Sequence, residues 1–171
     1  MPQRFLCGGE KYELGGPQED TIGLPVFPTG LPPRIQVEGY TLSRKTSFHV
    51  SLVCIGKIAE KQNLNDPELV HQIATNFCDF TSRATIELLH YRNEFRFVSA
   101  GEKRTVVVMC EVTNLDKFFD LINMEYGLKL EYPPTHVTLY NRAPYGGIFL
   151  TDSADIQQLT KQIRRPNGVS I

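Results

Sequence analysis

Phe48-His49-Val50-Ser51-Leu52 lies inside a longer stretch, Ser47 to Ile55, where Phe48, Val50, Leu52 and Cys54 alternate with Ser47, His49, Ser51 and Val53. Such alternation predicts a strand with one buried face. Thr135-His136-Val137-Thr138-Leu139 repeats the order His, apolar, hydroxyl, apolar within a second predicted strand, Thr135 to Tyr140. Residues two apart on a strand share a face, so His49 projects with Ser51 and His136 with Thr138. Val50, Leu52, Val137 and Leu139 go to the opposite, buried face. Roughly one His in fifty would be followed by this pattern at average composition. The chain has four His, and two of them carry it.

Strands and helices alternate around these two segments. Ile35, Val37, Tyr40 and Leu42 predict a strand ahead of the first. Asp66-Pro67 predicts a helix start, with Leu69, Val70, Ile73, Ala74 and Phe77 on one face and an end near Phe80 or Thr81. Thr85 to Tyr91 and Glu94 to Ser99 read as two strands joined by a tight turn at Arg92-Asn93. Thr105 to Val112 reads as a central strand, since Thr105-Val106-Val107-Val108-Met109-Cys110 is β-branched and apolar. Asn114 is the predicted cap of a helix ending at Gly127. Gly147 to Leu150 predicts a further strand, and a last helix runs from Asp152 or Ser153 through Ile156, Leu159 and Ile163 to before Pro166. Asp66 and Ser153 each follow their motif histidine by 17 residues, a second sign of duplication. Residues 1–33 are rich in Gly and Pro and predict an irregular N-terminal arm, leaving 34–171 as one domain.

Composition narrows the class. A chain of 171 residues, 41% hydrophobic and 22% charged, is globular and long enough to need no disulfide or metal staple. Eighteen Lys and Arg against 19 Asp and Glu give a net charge of −1, which excludes a long electrostatic footprint on nucleic acid. No apolar run approaches the ~20 residues that span a bilayer. The N-terminus shows no signal peptide, and Cys7, Cys54, Cys78 and Cys110 form no C-x-x-C pair, so a reducing, cytoplasmic setting is expected; Cys54 and Cys110, inside apolar runs, read as buried free thiols.

With its two H-x-[ST] motifs, His49/Ser51 and His136/Thr138, flanked by apolar residues and 87 positions apart, the chain resembles the two-histidine (2H) phosphoesterases. The resemblance covers roughly residues 34–150. It implies an α+β, bilobal fold: two antiparallel sheets related by a pseudo-twofold axis, helices packed outside, and the motif strands side by side in a cleft. Members commonly carry a helix before the first motif strand, whereas only Ser43 to Ser47 occupy that place here. The implied substrates are a 2′,3′-cyclic phosphate, a 2′,5′-linked oligoadenylate or a cyclic oligonucleotide, so the expected partner is a nucleotide or RNA end.

The residues fit that chemistry on their own terms. Phosphodiester cleavage removes one proton from the attacking hydroxyl and delivers another to the leaving oxygen. Two imidazoles titrating near neutrality do both, with either one as base. Ser51 and Thr138 can donate to the non-bridging oxygens. No carboxylate cluster accompanies either motif, so neither a metal nor another cofactor is expected, and a monomer suffices. Arg142, four residues past Thr138, is a candidate phosphate contact. Tyr140 and Tyr145 either stack on a base or pack in the core or rim. Lys103-Arg104 and Arg44-Lys45 read as solvated turn residues, yet they are the basic residues nearest the cleft strands. His71 and His90 read as ordinary helix and sheet residues. The alternative is a binding module that sequesters a nucleotide or RNA end without turnover; a purely structural role has only the N-terminal arm to recommend it.

Overall fold

The computed structural model describes residues 4–143 and 146–171. The chain is α+β. In order it forms β1 (Arg4–Phe5), β2 (Glu13–Gly15), β3 (Thr21–Val26), β4 (Arg34–Val37), β5 (Tyr40–Arg44), β6 (Phe48–Cys54), α1 (Ile55–Lys61), α2 (Leu69–Thr81), β7 (Leu88–Ala100), β8 (Lys103–Val112), α3 (Leu115–Tyr126), β9 (His136–Asn141), α4 (Ser153–Leu159) and β10 (Thr160–Ile163). No helix among the described residues is long and apolar enough to cross a membrane. The chain divides into two interleaved units: one from residues up to Pro25, Ser51–Glu87 and Val112–Tyr132, the other from Val26–Val50, Leu88–Glu111 and Pro133–Ile171.

In the first unit β2 pairs antiparallel with β1 and with β3. The Gly/Pro-rich stretch is therefore not irregular throughout: strands recur in it as far as Val26. Leu14, Ile22 and Leu24 are buried, and burial of alternate apolar residues overrides the punctuation that hid the strands. Helix α1 was not legible either: Ile55, one of its two buried residues, reads as the end of the preceding strand, and Ile58 alone makes no helical period. Helix α2 starts at Leu69; Asp66 works one turn earlier, its carboxylate accepting from the Glu68 amide at 2.9 Å. The core centres on Phe77, against which Tyr12 and Phe118 pack edge-on at 4.9 and 5.3 Å. Tyr12 Oη donates to the Ile86 carbonyl and accepts from its amide. Cys7 and Cys78 form a disulfide, in a chain whose length alone required no such staple. Their separation of 71 residues carries no spacing signal. Cys54 and Cys110 are in no disulfide, and Cys110 is buried.

The second unit is built on β9. One edge of β9 carries β8, the other carries β5 and then β6, and β7 and β10 continue beyond β8. The predicted strand over 35–42 is a hairpin, β4–β5, turned by Glu38 and Gly39 at φ +50° and +80°. No helix lies between β5 and β6. The expected turn at Arg92-Asn93 is absent and β7 runs through it: neither residue has the positive φ that a two-residue hairpin turn requires. Residues 147–150 form no strand; Ile148 and Leu150 instead pack with Ile156, Leu159, Val98, Val107 and Met109. The last helix stops at Leu159, and Thr160–Ile163 pair with Val98–Phe95 as β10. An available strand edge wins here over the helical spacing of Ile163.

Candidate functional site

Strands β6 and β9 run antiparallel with Val50 opposite Val137, both fully buried. That register sets His49 opposite Thr138 on the other face of the pair, and both are half-buried. Directly opposed residues have Cβ atoms ~5 Å apart, and a residue two further along lies ~7–8 Å away on the diagonal. His136 takes that diagonal place relative to His49. The two histidines therefore stand on one face of neighbouring strands, diagonal to one another. Ser51 follows two residues after His49 on β6, where that strand enters the first unit, and is half-buried.

His136 is 8% exposed. On β8 it faces Met109, part of the apolar cluster closed by Leu150 and α4. Its Nδ1 lies 2.7 Å from the Pro134 carbonyl. A carbonyl only accepts, so Nδ1 holds the proton and Nε2 of the neutral ring presents a lone pair. Burial holds the pKa of His136 below the usual histidine value; the Lys45 charge lowers it further, and the Pro134 carbonyl acts in the opposite direction. The segment feeding β9 is fixed as well: Thr135 Oγ1 donates to the Cys110 carbonyl at 2.6 Å, and the Cys110 amide donates to the Thr135 carbonyl at 3.0 Å.

The other expected ligand residues separate by face. The β8–β9 ladder shifts register between Val106 and Val107: Val107 opposes Thr138, but Val106 opposes Tyr140. Leu139 is the extra residue of a bulge. It reverses the alternation, so Tyr140 and Arg142 leave the Thr138 face. Tyr140 is fully buried and its Oη donates to the Pro32 carbonyl at 2.8 Å, so it is a core residue with no surface for a base. Arg142 and Arg104 both lie against the Tyr40 ring, 5.0 and 5.2 Å from its centroid. Neither stands with the histidines. Lys103 shares the face of Thr105 and Val107, beyond the bulge, with Nζ 3.3 Å from the Gly147 carbonyl. Tyr145 lies outside the described residues. His71 and His90 are exposed on α2 and β7. Among the described residues no three His, Cys, Asp or Glu side chains converge as metal ligands.

Lys45 is the basic residue that joins this site. Its amide donates to the Leu139 carbonyl at 3.0 Å, one residue beyond Thr138, and its charge acts on His136. The only sequence signal was its place in the short link between the two predicted strands. Comparison with family models, curated proteins and solved structures returned no match.

Proposed function

We propose that the protein is a metal-independent phosphodiesterase of two-histidine type, acting on a nucleotide or RNA-end phosphodiester. The observation that carries the reading is the β6–β9 register, with His49 opposite Thr138 and diagonal to His136. It supports the resemblance to the two-histidine phosphoesterases at the motif strands. In the proposed step His136 Nε2 takes a proton from the attacking water, for which a neutral imidazole is suited. The water oxygen bonds to phosphorus, the bond from phosphorus to the leaving oxygen breaks, and protonated His49 gives that oxygen a proton. Thr138 supplies a donor to the non-bridging oxygens.

The test is a panel of phosphodiesters incubated in excess EDTA with product separation. Hydrolysis of one linkage is expected, with a loss of about 10²–10⁴-fold in kcat for His49→Ala and for His136→Ala. Activity abolished by the chelator, or intact in the double variant, defeats the proposal. A stable complex that yields no product would instead identify a binding module.

A further inference from the structure

The bulge at Leu139 that turns Tyr140 and Arg142 away brings the residue between them, Asn141, onto the histidine face. Asn141 opposes Thr105 on β8 and Ser43 on β5, and Ser43 in turn opposes Arg34 on β4. Directly opposed residues of paired strands point to the same side of the sheet. Thr105 shares the side of Val107, which opposes Thr138. Arg34, Ser43, Asn141 and Thr105 therefore form one row across four neighbouring strands, on the side that carries His49, His136 and Thr138. The row, both histidines and Thr138 all belong to the second unit.

Thr105 is buried, but the other three side chains of the row have bonding capacity to spare. Asn141 and Ser43 are half-buried and Arg34 is exposed. Among the described residues nothing bonds the Asn141 amide, the Ser43 hydroxyl or the Arg34 guanidinium. The next pair of the hairpin on this side behaves differently: Gln36 Nε2 donates to Thr41 Oγ1 at 2.6 Å, so that pair satisfies itself. Polar side chains withdrawn from water ordinarily find a partner, and an amide left open beside two histidines can bond whatever those histidines act on. The strands here also carry charge of one sign. β4, β5, β6 and β9 contain no Asp or Glu, and Glu38, in the β4–β5 turn, is held by Lys161 at 3.0 Å. Two strand spacings of ~4.8 Å separate Arg34 from Asn141, so a ligand held at Asn141 reaches the guanidinium by extending across Ser43.

We propose that Asn141, Ser43 and Arg34 form the subsite for the nucleotide unit next to the scissile phosphate: Asn141 and Ser43 bond the polar groups of its nucleoside, and Arg34 pairs with its further phosphate. The inference rests on the phosphodiesterase reading for its purpose, but binding can be measured apart from turnover. The substrate class that fits is a phosphodiester bearing a second phosphate, as in a linear or cyclic oligonucleotide, ahead of a mononucleoside 2′,3′-cyclic phosphate. Isothermal titration of the full chain compares adenosine 3′,5′-bisphosphate with adenosine 3′-monophosphate. The bisphosphate is expected to bind about tenfold more tightly, the size of one charge-assisted contact. Arg34→Ala should remove that advantage and leave the monophosphate unchanged, and Arg34→Lys should keep part of it. Asn141→Ala should weaken both ligands about tenfold. Ser43→Ala, which removes a single oxygen, should weaken both about threefold and covers the case in which an Asn141 variant folds poorly. Absence of binding, equal affinity for the two nucleotides, a bisphosphate advantage that survives Arg34→Ala, or affinities indifferent to Asn141→Ala and Ser43→Ala overturns the subsite. Hydrolysis of a phosphodiester in EDTA alongside any of those results leaves the phosphodiesterase standing. Binding that responds to the row variants as expected, in a protein that cleaves no phosphodiester, leaves the subsite standing and removes the phosphodiesterase.

Discussion

At the residue scale the histidine pair was legible because period-two alternation survives in both motif strands. The environment of each ring was not. Nothing in Pro134-Thr135-His136 announces that a carbonyl two residues back fixes the tautomer, or that Met109 and its neighbours desolvate the ring. That environment has a consequence for stability. Burial and the Lys45 charge place the folded-state pKa of His136 below its unfolded value, ~6.5. Between the two values the unfolded chain binds the additional proton, so stability is fully present above the unfolded pKa. It is lost as pH falls through that window. Urea unfolding of wild type and His136→Gln at about pH 7 and about pH 5 reads this out. The wild type should lose more stability on acidification than the variant. Parallel losses would mean that His136 is not held neutral by its surroundings.

At the element scale the regular pieces were read well wherever the local signal and the tertiary context agree. Helix α3 begins after Asn114 and stops at Gly127, whose φ is +64°. Elements failed to appear in the sequence where a partner decides them: β10 exists because β7 offers an edge, and β7 passes through Arg92-Asn93 because no residue there turns the chain. The bulge at Leu139 is the costliest of these for function. Counting in twos from Thr138 puts Tyr140 and Arg142 beside the histidines, and one inserted residue puts them on the other face. The β4–β5 hairpin, which leads the chain to Lys45, offers a clean element-level test. Gly39 has φ +80° and open space where a Cβ would go, so Gly39→Ala meets no clash. The loss is conformational alone, about 1 kcal/mol by equilibrium unfolding. Motif-strand chemistry should be unaffected. No change in stability would indicate that the turn tolerates an L-residue at that angle without cost.

For the molecule as a whole, composition alone pointed to a near-neutral globular chain needing no staple. The charge balance proved compatible with a local excess of cations, since β4, β5, β6 and β9 carry Arg34 and Arg44 and no acidic residue while the total stays at −1. The staple was the larger surprise. A core of ordinary apolar content gives no reason to expect a cross-link, and cysteines 71 positions apart give no sign of one. Yet β1 and β2 are two and three residues long, and strands so short contribute little ladder energy of their own. Tying Cys7 to Cys78 on α2 removes conformational freedom from the unfolded chain rather than adding contacts to the folded one. For a loop of this length the chain-entropy relation gives about 4 kcal/mol. Cys7 is exposed, so Cys7→Ser opens the bond without leaving a cavity. Denaturant unfolding of that variant should show a loss approaching this size, and the wild type under strong reductant should fall to the same midpoint. If the variant and the reduced wild type both keep the oxidised midpoint, the loop is closed by packing at Tyr12, Leu14 and Phe77, and the cross-link adds nothing to stability.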